Sequence, residues 1–269
     1  MRPGTPLDDT LARADDHAKA VATAEAAGKL LLLLRGEGRT DGKATAGLGA
    51  HGDSAANRLI LDLLADSSPD DAVLSEEAVD SAARLDALRV WIVDPLDGTR
   101  EFSEHRDDWA VHVALSVGGV LAAAAVALPA RDLVLATGGV GHRLAALAPL
   151  AGRAPRMVVS RTRQHPITTK IRDSLGAELL PLGSAGAKAM AVVLGEADIY
   201  AHAGGMYEWD NAAPAAVAAG AGLWASRLDG SPLRYNQPNP WSPDLLICRP
   251  ELAAAVLAAA AWGATLGPA

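Results

Sequence analysis

One cysteine, Cys248, and one phenylalanine, Phe102, stand in a chain of 269 residues, and aromatic side chains make up only 4% of it. A single thiol can form neither an intramolecular disulfide nor a cysteine-based zinc cage, which fits a reducing, cytoplasmic setting. So few aromatic rings leave no stacking platform for single-stranded nucleic acid. Basic residues are also in deficit: 24 Lys and Arg against 32 Asp and Glu give a net charge of −8, which repels a nucleic-acid duplex. The longest apolar runs, Leu30–Leu34, Val120–Pro129 and Leu252–Trp262, fall short of the roughly 20 residues that cross a bilayer. The first residues carry no basic segment followed by an apolar core, so a signal peptide is not expected. What is present is a globular composition, 50% hydrophobic and 21% charged. At roughly 100 to 200 residues per domain, the length suits one large domain or two small ones acting on a small molecule.

Apolar spacing from Asp8 to Leu34 predicts an amphipathic helix. Six glycines between Gly36 and Gly52 predict a mobile loop, and Asp53 then serves as the N-cap of a helix reaching Ala65. Strands are predicted at Ala72–Leu74, Val90–Val93, Ala110–Val117, Val120–Leu128 and Leu133–Thr137, with Gly118-Gly119 closing a hairpin, so the first half reads as helices on an antiparallel sheet. A Gly-, Pro- and Ala-rich stretch, Gly138–Pro155, suggests a boundary near residue 150, dividing the chain into 1–150 and 151–269. Beyond it, strands at Arg156–Ser160, Glu178–Pro181 and Ala197–His202 alternate with helices at Pro166–Leu175 and Ala185–Leu194, a pattern expected of a parallel sheet. A helix at Asn211–Ala219, a strand at Leu245–Cys248 and an Ala-rich C-terminal helix complete the second half.

Chemistry concentrates in Val90–Phe102. An apolar strand delivers Asp94, Pro95 fixes a turn dihedral, and Gly98 permits close backbone approach before Thr99 opens a helix. Asp94 and Asp97 converge across that turn, and with the Leu96 carbonyl they form a hard oxygen set suited to Mg²⁺. Further acids stand at Glu76-Glu77 and at Asp210 in Glu208–Ala213. Like charges about 4 Å apart repel by roughly 4 kcal/mol at an effective dielectric of 20, so clustered carboxylates need cations or protons. Thr99 also reads as a helix cap, Trp209 as a packing residue, and His51, His112 and His202 as loop or core histidines without metal-triad spacing.

The paired Glu76-Glu77, the Asp94–Phe102 loop and the late Trp209–Ala213 run occur in the order seen in the Mg²⁺-dependent, lithium-sensitive phosphatases of the inositol monophosphatase superfamily, which the chain resembles over nearly its whole length. Arg100-Glu101, Ser160-Arg161 and the Gly183–Lys188 stretch make it most similar to the CysQ branch, the 3′-phosphoadenosine 5′-phosphate phosphatases, in its actinobacterial form. The resemblance implies a layered αβαβα sandwich that hydrolyses that nucleotide to AMP and phosphate in sulfate assimilation. It further implies a metal held by Glu76, Asp94 and the Leu96 carbonyl, and a second held by Asp94, Asp97 and Asp210. Thr99 and Asp53 then orient the attacking water, with Glu76 also counted as catalytic.

Substrate contacts are expected from Glu76, Leu96, Asp97, Gly98, Thr99 and Asp210, with the backbone N–H groups of Gly98 and Thr99 offered to phosphate. Ser184 and Gly186 at a helix start are expected to form a further anion site, Arg161 and Lys188 to reach the nucleotide's other phosphate, and Ser160 to be a further substrate contact. Two Mg²⁺ ions are expected. A third is left open by the glycine-rich lead-in Thr45–Gly52, which replaces the family's Lys and Ser/Pro-Val-Thr stretch. An inositol-1-phosphate or fructose-1,6-bisphosphate phosphatase is the alternative enzyme, and a cation or nucleotide sensor the non-catalytic one. The expected partner is a small phosphorylated substrate, with no nucleic-acid polymer or membrane; a homodimer is compatible with the family.

Overall fold

The computed structural model describes residues 15–37, 47–139, 141, 147–163 and 165–261. The chain opens with α1 (Asp16–Glu37) and α2 (Leu48–Ser67), and then builds a five-stranded sheet. Its strands are β1 (Ala72–Ser75), β2 (Arg89–Asp97), β3 (Ala110–Val117), β4 (Val120–Leu128) and β5 (Leu133–Ala136), ordered as in sequence. The short α3 (Thr99–Ser103) follows β2. A second five-stranded sheet has the order β7-β6-β8-β10-β9. It comprises β6 (Arg156–Ser160), β7 (Glu178–Leu182), β8 (Ile199–Tyr207), β9 (Trp224–Ser226) and β10 (Trp241–Cys248). The helices between these strands are α4 (Pro166–Leu175), α5 (Ala185–Val193) and α6 (Glu208–Gly220), and α7 (Pro250–Ala261) follows β10.

Period-two alternation along the strands sorts these elements into layers. Trp91 and Val93 of β2 point outward with Val111 and Val113 of β3, into a core shared with Ala24, Leu31 and Ile60 of α1 and α2. Val90 and Ile92 point the other way, joining Met190 and Val192 of α5, Val217 of α6, and Leu245 and Ile247 of the second sheet. The far face of that sheet, with Leu246 and Cys248, packs on Ile171 of α4 and Val256 of α7. The result is the expected αβαβα sandwich, with α5 and α6 between the sheets.

Neither sheet keeps a single strand direction. β1 runs parallel to β2, so the first sheet is mixed rather than antiparallel. In the second, β6 is parallel to β7 and β8, but β10 is antiparallel to both β8 and β9. β9 was not expected from the sequence. The start expected for the first helix, Asp8, lies outside the described residues.

The second helix departs most from expectation. It starts at Leu48, after Gly47 in a left-handed conformation (φ 91°), and not at Asp53. Its glycines are packing residues. A β-carbon on Gly49 would lie 2.5 Å from Thr99 Cγ2, and one on Gly52 would lie 3.0 Å from Leu31 Cδ2 and 3.1 Å from Phe102 Cε1. Residues 48–52 are therefore helix where the glycine content suggested a loop. Asp53 sits within the helix on its buried side, with no capping role.

Candidate active site

Asp94 and Asp97 lie at the C-terminal end of β2, and Asp210 lies in the first turn of α6. One carboxylate oxygen from each comes within 4.8 Å of the others. Among the described residues this is the group of acids and histidines that could hold a metal ion. Asp94 is 1% exposed and Asp97 8%, so the cluster combines like charges with poor hydration. Burial, then the charges of Asp97, Glu76 and Asp210, pushes the Asp94 carboxyl well above the usual range.

Glu76 is an exposed residue in the turn after β1, outside the three-carboxylate group but coupled to it by charge and by a hydrogen bond to Asp94. Burial of its carboxyl, followed by repulsion from Asp210 and Asp97, lifts it to about 7. Asp210 is lifted to about 6 by burial and by Asp97, against the pull of the Tyr207 N–H that its Oδ2 accepts at 2.5 Å.

Asp97 behaves oppositely. Burial alone would raise it, but contacts from His112, Ser184 and Lys188 prevail and hold it down at about 2. Its carboxylate accepts from the Ser184 hydroxyl, from Ala185 N at 3.1 Å and from Gly186 N at 2.6 Å. The first turn of α5, expected to receive a substrate anion, is thus turned onto Asp97, because an internal carboxylate satisfies the same orphan N–H groups.

Lys188, 6% exposed, donates to the carbonyls of Gly183 and Ser184 (2.5 Å to the latter) and does not reach outward. Arg161 is paired with Glu101 at 2.9 Å and Glu104 at 2.7 Å. The Ser160 hydroxyl accepts from Thr162 N at 3.4 Å and Arg163 N at 3.2 Å, closing the turn after β6.

On the other side of the acids, Thr99 Oγ1 stands 3.5 Å from Asp53 Oδ2 and 3.1 Å from the Leu96 carbonyl oxygen. That carbonyl is therefore not free, although a second lone pair remains to it. Gly98 holds the left-handed conformation (φ 91°) that turns β2 into α3; a β-carbon there would lie 3.1 Å from Ser184 Cβ and 3.2 Å from Trp109 Cβ. Asp53 is pushed up to about 8 by burial and by the charges of Glu77 and Glu76, and its buried Oδ1 has no hydrogen-bond partner.

Three converging carboxylates, an orphaned buried carboxyl oxygen and a nearby carbonyl form an all-oxygen donor set, which suits a hard divalent cation. Such a cation would take the place of the protons that Asp94, Glu76 and Asp53 otherwise keep.

His112, read from the sequence as a loop or core histidine, is in the core and also within the site. It is fully buried, with Nδ1 3.0 Å from the Trp209 carbonyl and Nε2 3.3 Å from Asp97 Oδ2. The strand register pairs His112 with Asp94 across β2 and β3. A polar residue in the otherwise apolar alternation Ala110, His112, Ala114 is the signal that points to it. Trp209 stacks on Tyr207 with ring centroids 4.7 Å apart.

A family model described as the inositol monophosphatase family matches residues 13–265. A protein from Mycobacterium bovis named 3′-phosphoadenosine 5′-phosphate phosphatase is 54% identical over 241 residues, covering 87% of this chain and 89% of its own. One of the same name from Mycobacterium leprae is 50% identical over 269 residues, covering 93% and 94%. Among solved structures, CysQ from Bacteroides thetaiotaomicron superposes with a TM-score of 0.74 at 26% identity, covering 87% of this chain and 98% of that one. The fold is shared with an inositol monophosphatase from Anabaena, with a TM-score of 0.75 at 19% identity and coverage of 91% and 95%.

Proposed function

The chain belongs to the inositol monophosphatase family, and from that premise we propose that it is a Mg²⁺-dependent phosphatase converting 3′-phosphoadenosine 5′-phosphate to AMP and phosphate. The convergence of Asp94, Asp97 and Asp210 from separate elements carries the metal-dependent part of this reading. The names of the 50–54% identical relatives support the substrate.

Glu76, Asp94 and the Leu96 carbonyl would hold one Mg²⁺, and Asp94, Asp97 and Asp210 a second. When bound, the ions supply Lewis acidity toward water and phosphate oxygens. The protein's own part is positional. Thr99, anchored by its hydroxyl near Asp53 and Leu96, orients the attacking water, and Asp53 accepts a proton from it. The turn at Gly98 brings backbone N–H groups to the phosphate. From residues 151–269, Arg161 would meet the substrate by exchanging its carboxylate partners for phosphate. Ser184 and Gly186 act instead through Asp97, Lys188 braces the Gly183 and Ser184 carbonyls, and Ser160 shapes the turn that carries Arg161. We place the boundary between a unit carrying most of the metal ligands, 1–150, and a unit contributing Asp210 and substrate contacts, 151–269, near residue 150. A cytoplasmic homodimer acting in sulfate assimilation completes the proposal.

Comparison of kcat/KM for 3′-phosphoadenosine 5′-phosphate, inositol 1-phosphate and fructose 1,6-bisphosphate with Mg²⁺ tests the assignment. A preference for the nucleotide well beyond tenfold, about 1.4 kcal/mol of transition-state binding, is expected. Equal or higher kcat/KM for inositol 1-phosphate would move the assignment to that substrate.

A further inference from the structure

We propose that His112 is a positioning residue that locks the acid delivered by β2, Asp97, to the acid delivered by α6, Asp210, and so fixes the spacing on which divalent-cation binding depends. The inference rests on the metal-phosphatase reading above. The two acids come from opposite halves of the chain, and no covalent or strand-pairing link joins β2 to the start of α6. His112 on β3 reaches both.

A carbonyl oxygen can only accept, so the 3.0 Å contact makes Nδ1 the donor to the Trp209 carbonyl. That carbonyl belongs to the peptide bond leading into Asp210, so restraining it restrains the residue from which the carboxylate projects. The other ring nitrogen lies 3.3 Å from Asp97 Oδ2, the same oxygen that accepts from Ser184 Oγ and Gly186 N, a close polar contact without hydrogen-bond alignment.

The packing leaves the ring no alternative place. The imidazole is 0% exposed, and a β-carbon on Gly186 would lie 2.1 Å from its Nε2 and 2.9 Å from Ala110 Cβ. Glycine at 186 thus admits the ring beneath the first turn of α5. Asp94 is the cross-strand neighbour of His112, with Oδ2 3.9 Å from Nδ1, so the ring also backs the third carboxylate.

The test is Mn²⁺ affinity of the substrate-free protein, measured by isothermal titration calorimetry, together with thermal unfolding in EDTA. His112→Asn keeps a donor toward the Trp209 carbonyl and loses the contact with Asp97; it is expected to unfold within a few degrees of the wild type but to bind Mn²⁺ at least tenfold more weakly. His112→Gln, whose amide reaches toward Asp97, is expected to recover affinity to within about threefold of the wild type. A folded His112→Asn that binds Mn²⁺ within twofold of the wild type overturns the proposal, as does failure of both variants to fold, which would make His112 a folding residue only. Absence of Mn²⁺ binding by the wild-type chain overturns the metal-phosphatase reading and the proposal with it; equal binding by wild type and a folded His112→Asn overturns the proposal alone.

Discussion

Gly49 of α2 packs against Thr99 of α3 with no room for a β-carbon: one built there would lie 2.5 Å from Thr99 Cγ2, 2.6 Å from Ser103 Oγ and 3.1 Å from the Thr99 carbonyl oxygen. Alanine favours a helix over glycine by about 1 kcal/mol, yet here the backbone oxygen cannot yield as a flexible side chain would. Gly49→Ala is therefore expected to lose about 1–3 kcal/mol of stability and, by displacing Thr99 from Asp53, to lower kcat at least tenfold. Gly36, near the end of α1 with nothing within 4 Å, is the control. Gly36→Ala should gain roughly 0.5–1 kcal/mol with unchanged kcat. Urea unfolding and steady-state kinetics on the two variants check both signs.

The hydroxyl of Thr99 matters through its contacts with Asp53 and Leu96. Thr99→Ala and Asp53→Asn should each lower kcat by about 10²–10⁴ with KM changed little, the range expected when a positioned proton acceptor or its partner is lost. Thr99→Ser, which keeps the hydroxyl, should retain most of the rate. Parallel losses of kcat and substrate affinity in Asp53→Asn would instead assign it to binding.

Carboxyls held above their ordinary values make the metal-free fold sensitive to pH. Asp53 at about 8, Glu76 at about 7 and Asp210 at about 6 keep protons in the folded chain that the unfolded chain has already released above pH 4. Their effect on stability is thus neutral below pH 4 and increasingly unfavourable as pH rises through 6 to 8. Asp97 acts in the opposite sense: its stabilising contribution is complete above its unfolded value and is lost as pH falls toward 2. In EDTA, the midpoint of thermal unfolding should fall by roughly 5–10 °C between pH 5 and pH 8. Added Mg²⁺ should restore most of the loss at pH 8. A flat profile in EDTA would mean that these carboxyls ionise without penalty.

Asp198 illustrates a buried acid with the reverse balance. It is 0% exposed and accepts from Arg153 Nη1 and Nη2, both at 2.7 Å, and from Arg156 N at 2.8 Å. Burial alone would raise its pKa, but these donors lower it. Asp198→Asn weakens these charge-assisted hydrogen bonds while the Arg153 and Arg156 guanidinium groups stay partly solvated, and should cost about 1–2 kcal/mol, read from urea unfolding at pH 7, with little change in KM.

The acid turn could be read directly because it is local: an apolar strand, two aspartates and a glycine within thirteen residues specify strand, turn and helix together. The layering could be read because alternation along β2, β3 and β10 records which face is buried. Strand direction could not, since alternation is the same read either way, and β1 accordingly ran opposite to expectation. The start of α2 was hidden because glycine marks both a loop and a close approach. Only the partners, Thr99 and Phe102 some 50 residues downstream, tell the two apart. Ser184, Gly186 and Lys188 were read as outward-facing donors, yet Asp97 and the carbonyls of Gly183 and Ser184 engage them first. His112 carried a visible anomaly in an apolar strand, but its meaning lies in contacts with residues far along the chain.

Phosphate release from 3′-phosphoadenosine 5′-phosphate, followed with Mg²⁺, with EDTA and with the Asp94→Asn protein, puts the convergent carboxylates to the test. The expected outcome is turnover with Mg²⁺ that falls by at least 10³-fold on chelation or on Asp94→Asn, the scale expected when a major electrostatic contribution is removed. Turnover that persists in EDTA, or an Asp94→Asn protein as active as the wild type, would contradict it.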